Sequence, residues 1–358
     1  MESYRIAVIA GDGIGKEVIP AGQRVLEAAV AGEARLEWKD LPWGSDFYRE
    51  TGAMMPPDGI ETLKGVDAIY LGAVGDPPRI PDHVTLWGLM MPLRKSLDMY
   101  VNVRPIKLLP GVTGPLRDKG PAEIDMLFVR ENTEGEYAGV GGRIHVGTPH
   151  EVAIQSTVFS RFNVERVVRY AFEAARKRPR KHLTSVTKSN AQQYGMVFWD
   201  DVVNEVARDY PDVELRSLLV DAAAALMVRA PERFDTVVAS NLFADILTDL
   251  GGALMGSLGL APSANLTVDP ALPSLFEPIH GSAPDIAGQG LADPLGAIWA
   301  GAMMLEHLGQ PNAAARVMRA VEATTGEGTV LPPDLGGRAS TDEVAEHVVG
   351  LVRRESQR

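Results

Sequence analysis

The chain alternates short apolar runs with longer stretches of helical period. "YRIAVIA", "VDAIYLGAV", "IDMLFVREN", "HLTSVTKSN", "VELRSLLVD" and "FDTVVASN" predict strands, most of them with a helix behind. That order marks an α/β protein. Between residues 130 and 160 the pattern changes to "GEYAGVGGRIHVGTPHEVAIQSTVFSR", whose glycines and alternation predict extended arms or a hairpin, an insert suited to clasping a partner subunit. "NVERVVRYAFEAARKRPRK" predicts an amphipathic helix with Val, Tyr, Phe and Ala on one face. Its basic end suits a helix C-terminus better than a nucleic-acid patch. "DPLGAIWAGAMMLEHLG" predicts a buried helix with its Met pair in the core.

The first strand runs into "AGDGIGKEV", where a nucleotide-binding loop would begin. A dinucleotide fingerprint fits Gly11 and Gly13 but needs a glycine where Lys16 stands. A P-loop needs a different glycine spacing and a hydroxyl where Glu17 stands. The remaining reading is a tight strand-to-helix turn in which glycines supply positive φ.

At 358 residues the chain is long for one ordinary core and suggests two domains or one elaborated one. The charge of −12 argues against a nucleic-acid backbone as main partner. No apolar run is long enough for a membrane span, and the charges at Glu2, Arg5, Asp12, Lys16 and Glu17 leave no secretory leader, so a cytoplasmic protein is expected. With no cysteine, any metal must take oxygen or imidazole ligands, and carboxylates favour magnesium or manganese.

Strand ends that turn into helices place Lys188, Asp221, Asp245 and Asp249 where open α/β folds bind ligands. Asp245 and Asp249 stand i, i+4, on one helix face, where like charges repel unless a cation joins them. With Asp221 they would make an all-carboxylate site. Arg94, Arg104 and Arg130 form a basic set able to grip a di-acid bidentately, and Tyr137 follows Arg130 closely in "RENTEGEYAGV". In "FEPIHGSAPDIAGQG" small residues around His280 and Asp285 would let a nucleotide approach the backbone, and an acid can bind ribose hydroxyls while repelling a 2′-phosphate.

Six ordered motifs, "GDGIGKEV", "LRKSLDMYVNVRP", "VRENTEGEYAG", "SVTKSN", "ASNLFADILTDLGG" and "EPIHGSAPDIAG", resemble the isocitrate/isopropylmalate dehydrogenase family of metal-dependent β-decarboxylating dehydrogenases, from residue 5 to about residue 340. "IPDHVTLWG", "YVNVRP", "RPRKHLTSVTKSN" and "PSLFEPIHGSAPDI" look most like its D-malate and tartrate branch. The resemblance implies an α/β, isopropylmalate-dehydrogenase-like two-domain fold with a mixed sheet, not a Rossmann fold. One domain would comprise residues 1–102 and 258–358, and the other residues 103–257, with a dimer-forming arm near 135–160.

The same resemblance implies an NAD-dependent decarboxylating enzyme that also needs magnesium or manganese, with potassium as an additional cation. Asp245 and Asp249 would bind the metal, with Asp221 and Lys188 lent by a second subunit of an obligatory homodimer. Arg94, Arg104 and Arg130 would hold carboxylates, Lys188 would relay the hydroxyl proton, and Tyr137 would protonate the enol left by decarboxylation. NAD would lie mainly against residues 280–293, engaging Glu277, His280, Gly281, Ser282, Ala283, Pro284, Asp285, Ile286, Asp293 and Asp334. The glycines of the first turn would sit beside the nicotinamide end. Asp285 and Ile286 stand where an NADP enzyme would carry a basic residue. Asp293 departs from the pattern, since relatives place an Asn there, facing the adenine ring.

Isocitrate enzymes hold a third carboxylate with a Ser and an Asn where this chain has Gly88 and Met90. Trp87, Met90 and Met91 would make an apolar, bulky lining, so the expected substrate is D-malate or tartrate, with 3-isopropylmalate or a related 2-alkylmalate as the alternative. A non-catalytic regulatory paralogue is the reading from another class. Such a subunit would be expected to lose one of the Lys, Tyr or Asp positions, and all are present.

Overall fold

The computed structural model describes residues 2–356. Its strands are β1 (Glu2–Gly11), β2 (Ala34–Asp40), β3 (Ala68–Ala73), β4 (Val101–Lys107), β5 (Asp125–Glu131), β6 (Gly135–Ile144), β7 (Val152–Val158), β8 (His182–Thr187), β9 (Glu214–Leu219), β10 (Thr236–Ala239), β11 (Pro262–Leu266) and β12 (Ser274–Pro278). Ten belong to a mixed sheet, and β6 and β7 pair separately. The chain divides into two compact units, one of Met1–Met99, Pro105–Ile124 and Gly252–Arg358, the other of Tyr100–Arg104 and Asp125–Gly251.

In the first unit the strand order is β2-β1-β3-β12-β11, parallel except for the antiparallel pair β11 and β12. Every residue of β3 is buried, as befits a parallel strand covered on both faces. The helix Leu295–His307 is buried almost throughout, which explains its uniformly apolar sequence. It docks through Tyr70, whose hydroxyl donates to the Ala297 carbonyl at 2.7 Å. Gly22, on the helix Gly15–Val30, faces that hydroxyl so closely that a Cβ would lie 2.0 Å from it.

In the second unit β5, β10, β8 and β9 run parallel in that order, with β4 beside β5. Their carboxyl ends therefore share one edge. The helix Arg161–Lys177 begins at Ser160, whose side chain accepts from the Asn163 N–H, and it buries Val164, Val167, Val168, Ala171, Phe172 and Ala175. The hairpin expected between residues 130 and 160 is the antiparallel pair β6 and β7, which leaves Val140, Ile144, Val152 and Ile154 exposed.

Two features differ from the sequence reading. Residues 105–124 cluster with the chain ends, because Lys107 pairs with Glu322 and Gly111 lies against the Thr325 carbonyl. Strands β2, β11 and β12 were not among the predicted runs. β2 is an edge strand with half its residues exposed, while the other two are short and contain proline. Among the described residues no helix is long and apolar enough to cross a membrane.

The contact between Gly22 and Tyr70 yields a stability test. Gly22→Ala should cost about 2 kcal/mol by displacing the Tyr70 hydroxyl, and Tyr70→Phe about 1 kcal/mol. The double variant should be less damaged than the sum, measured by urea unfolding. Strict additivity would contradict the packing described.

Candidate active site

The site in the second unit begins with two buried arginines. Arg130 ends β5 and is 1% exposed, while Arg104 lies in β4 and is 5% exposed. Guanidinium groups cannot shed their charge, so burial requires acceptors on every side. Asn241 Oδ1 accepts from Arg130 Nε and Nη2 at 3.0 and 2.7 Å. Asn102 Oδ1 accepts from Arg104 Nε at 2.9 Å, and Thr248 Oγ1 accepts from its Nη1 at 2.6 Å. The counter-charge is Asp245. Its Oδ1 pairs with Arg130 Nη1 and lies 3.4 Å from Arg104 Nη1, and its Oδ2 accepts from the Tyr137 hydroxyl at 3.0 Å.

Tyr137 arrives there through a shaped loop. Glu131, fully buried, accepts from the Thr133 N–H, the Thr133 hydroxyl and the Glu134 N–H, which turns the chain from β5 into β6. Burial raises its carboxyl above the ordinary range in spite of those donors. The Arg130 guanidinium then lies 5.6 Å from the centre of the Tyr137 ring. Asn102, Asn241, Thr248 and Glu131 are thus positioning residues that sequence reading missed, because an amide or a hydroxyl carries no pattern of its own.

Asp249 lies one turn beyond Asp245 on the helix Asn241–Leu254. Burial raises its carboxyl above the ordinary range, and the charge on Asp245 adds to the effect. A divalent cation between the two would relieve both causes, so this pair fits a hard metal. Among the described residues no group of three carboxylate or imidazole side chains is placed to hold a metal. Asp221 sits in the first turn of the helix Val220–Arg229 and accepts from Lys188 Nζ at 2.8 Å. That hydrogen bond lowers its carboxyl below the ordinary range. Lys188 and Asp221 therefore form one pair, and Arg104, Arg130, Tyr137, Asp245 and Asp249 a separate cluster.

The first unit holds the residues expected to bind a nucleotide. A cavity of about 600 Å³ is lined by His280, Gly281, Ala283, Ile286, Asp293 and Asp334, together with Ile14, Leu258 and Leu291, which the sequence reading did not name. His280 and Asp293 are enclosed in this wall between the apolar side chains of Ile14, Leu258, Ile286 and Leu291. His280 Nδ1 lies 3.0 Å from the Gly281 carbonyl and so carries the proton; burial depresses its basicity. Ser282 and Pro284 line a neighbouring cavity of about 360 Å³ with Asp12, Gly13, Lys16 and Gly75. Asp285 is exposed, and Glu277 is engaged by Asn265 at 2.8 Å and Arg94 at 3.5 Å. Of the three residues expected as a bulky lining, Trp87 is exposed while Met90 and Met91 are buried, Met90 in an apolar cluster with Trp43, Met54 and Leu89.

The glycine turn after β1 is docked on the cofactor-type loop. Gly13, at φ +52°, approaches the Ser282 carbonyl so closely that a Cβ would lie 1.9 Å from it, and the Ile14 N–H donates to the same oxygen at 2.9 Å. Glu17 accepts from the Gly288 and Gly290 N–H groups at 2.6 and 2.8 Å. The residue that spoils a P-loop is thus the clamp that holds the loop containing residues 288 and 290.

The family profile described as isocitrate/isopropylmalate dehydrogenase matches residues 5–348. The chain is 54% identical to "Probable tartrate dehydrogenase/decarboxylase" of Agrobacterium vitis, over 98% of each chain. It is 50% identical to the decarboxylating D-malate dehydrogenase of Escherichia coli strain K12, over 99% of this chain and 100% of that one. Isocitrate dehydrogenase from Methylococcus capsulatus superposes with a TM-score of 0.87 at 36% identity, covering 98% of this chain and 99% of that one.

Because its folded-state carboxyl is raised, Asp249 stabilises the fold only below the unfolded carboxylate range, and that stability is lost as pH rises through the folded value. Asp249 is exposed, so solvent screens much of this effect. At neutral pH without metal, Asp249→Asn should therefore raise the melting temperature by less than about 1 °C, and manganese should raise that of the parent protein but not of the variant. Calorimetry with and without manganese checks both. A variant that still responds to manganese would exclude Asp249 as a ligand.

Proposed function

The chain belongs to the isocitrate/isopropylmalate dehydrogenase family, and from that membership we propose that it oxidises and decarboxylates D-malate or tartrate with NAD and a divalent metal. It is a decarboxylating dehydrogenase acting on a hydroxy di-acid, as its relatives at about half identity over their full length are. The observation that carries the finer reading is the convergence of Arg104, Arg130 and Tyr137 on Asp245, one helical turn from Asp249.

In this reading Arg104 and Arg130 hold the carboxylates of the acid, their forks already aimed by Asn102, Asn241 and Thr248. The role assigned to Arg94 as a further carboxylate ligand comes from the resemblance. NAD, when bound, would supply the hydride acceptor, and a magnesium or manganese ion, which Asp245, Asp249 and Asp221 would hold, would supply Lewis acidity. Lys188 Nζ takes the proton of the 2-hydroxyl, with Asp221 orienting it. The Tyr137 hydroxyl, now 3.0 Å from Asp245, returns a proton to the carbon that has lost carbon dioxide. Oxidation removes a hydride and a proton from the acid, and decarboxylation replaces carbon dioxide by that proton, so the products balance. NAD is favoured over NADP because Asp285, exposed on its loop, would repel a 2′-phosphate.

Asp221 and Lys188 pair with each other within one chain, which supports their being lent to the Asp245 site of a second copy. The exposed apolar residues of the β6–β7 hairpin support the same homodimer.

Purified protein with manganese and NAD should form NADH on D-malate or tartrate. Turnover confined to 3-isopropylmalate would overturn the substrate. Lys188→Ala should lose activity by roughly a hundredfold or more. The shared site has its own test, by reassociating two dead proteins. Lys188→Ala mixed with Asp245→Asn should recover about a quarter of parental activity, since half the dimers are mixed and each has one intact site. Absence of any recovery from verified mixed dimers would mean that each chain completes its own site.

A further inference from the structure

One wall of the 600 Å³ cavity is a segment that burial does not fix. Gly281, Ala283, Ile286 and Leu291 line the cavity, yet no residue from 283 to 291 is buried. Ala283 stands at φ +41°, a left-handed conformation that a residue with a Cβ keeps only where its surroundings hold it. Gly288 and Gly290 follow at φ +78° and +68°. The Ile286 and Ala287 N–H groups both donate to the Ala283 carbonyl at 3.1 Å, and the Gln289 N–H donates to the Ile286 carbonyl at 3.2 Å. Residues 283–289 are thus one run of linked turns, so a tether at its far end is felt at Ala283 and Ile286.

That tether comes from two helices. Glu17, in the first turn of the helix Gly15–Val30, gives one oxygen to each glycine: Oε1 accepts from the Gly288 N–H at 2.6 Å and Oε2 from the Gly290 N–H at 2.8 Å. Thr341, 3% exposed, begins the helix Thr341–Ser356; its N–H donates to the Gly290 carbonyl at 2.8 Å and its hydroxyl to the Ala292 carbonyl at 2.7 Å. Arg24 and Asp342 join the two helices at 2.6 Å. Glu17 itself lines neither the 600 Å³ nor the 360 Å³ cavity. An acid in a first turn also suits the helix dipole, which accounts for a charge at position 17. It does not account for both oxygens being committed to a segment 271 and 273 residues away. A glutamine could not replace them, because its amide nitrogen would face one of the two N–H groups donor to donor.

We propose that Glu17 is a positioning residue for the cofactor: by gripping Gly288 and Gly290 it keeps Ala283 and Ile286 in the shape that NAD requires, and so sets NAD affinity without touching NAD. The inference rests on the NAD reading above. With the grip broken, the segment populates other conformations, and the apparent affinity falls by the fraction of protein that remains competent. Loss of one charge-assisted hydrogen bond shifts such an equilibrium by about tenfold. Once NAD is bound the segment is in place again, and the steps that follow are unchanged. The effect therefore belongs to the KM for NAD and not to kcat at saturating NAD.

Isothermal titration of the full-length parent, Glu17→Gln and Glu17→Ala with NAD tests this, together with amide hydrogen exchange of the ligand-free proteins. Glu17→Gln should bind NAD about tenfold more weakly, and Glu17→Ala at least as weakly. Exchange across residues 283–291 should quicken by about tenfold in both while strand β3 keeps its protection, and saturating NAD should restore the slow exchange. In turnover of D-malate or tartrate the KM for NAD should rise by the same factor, with kcat and the KM for the acid within about twofold of the parent. Thr341→Val keeps the backbone bond to Gly290 and loses only the hydroxyl bond to Ala292; it should weaken NAD by about threefold and quicken the same segment. If the Glu17 variants fail to fold, Thr341→Val decides alone. NAD affinity within about twofold of the parent in the folded variants overturns the proposal, whether or not their melting temperature falls, and leaves Glu17 as a helix-stabilising acid. A kcat that falls along with affinity at saturating NAD overturns it too. Failure of the parent to bind NAD overturns the cofactor reading and the proposal with it, whereas equal binding by parent and variants overturns the proposal alone.

Discussion

Charge compensation around Asp245 is the constraint on which the second unit depends. Two arginines that are almost completely buried converge on one carboxylate, and each also spends its remaining donors on a neutral acceptor. Removing the carboxylate would leave two desolvated cations facing each other, a far larger penalty than an exposed ion pair could offset. The same carboxylate receives the Tyr137 hydroxyl and disturbs Asp249 one turn away. A single group thus gathers two buried cations and a phenol beside a second carboxylate. In the proposed function a substrate di-acid would meet cations already held in place, which would limit the reorganisation that binding requires.

The first unit meets a different constraint, the close approach of backbone to backbone. Gly13 rests on the Ser282 carbonyl at a distance no side chain permits, and Glu17 anchors the glycines at 288 and 290. The loop that would otherwise be free is thereby tied to the helix Gly15–Val30 and through it to the packing of Tyr70 and Gly22. Asp293 is held in the same way, one oxygen committed to a helix start and the other enclosed against Gly259. In both units, then, backbone or buried polar groups fix a functional side chain before any ligand arrives.

Much of this was legible in the chain. The parallel strands announced themselves by apolar runs, and the spacing of Asp245 and Asp249 put both on one helix face. Arg104 and Arg130 were singled out as a basic set and Tyr137 by its proximity to Arg130, and the structure brings all three to Asp245. The hairpin of residues 135–158 was visible as alternation without helical period. What escaped was the polar scaffolding: Asn102, Asn241, Thr248, Glu131 and Glu17 act through hydrogen bonds across 2 to 273 residues of separation, which no local pattern encodes.

The sequence by itself determined which chemistry was available: carboxylates and no thiols for a metal, arginines for a di-acid, small residues for a nucleotide. It also determined the α/β class, because periodicity is a local property of neighbouring side chains. Only the tertiary structure decided how those groups are charged and shared. The glycine turn became a dock for the Ser282 loop, Lys188 became the partner of Asp221, and Asp293 became an enclosed carboxyl beside Asp334. Burial and the sign of a neighbouring charge set each of these outcomes, and both are properties of residues brought together by folding, far apart along the chain.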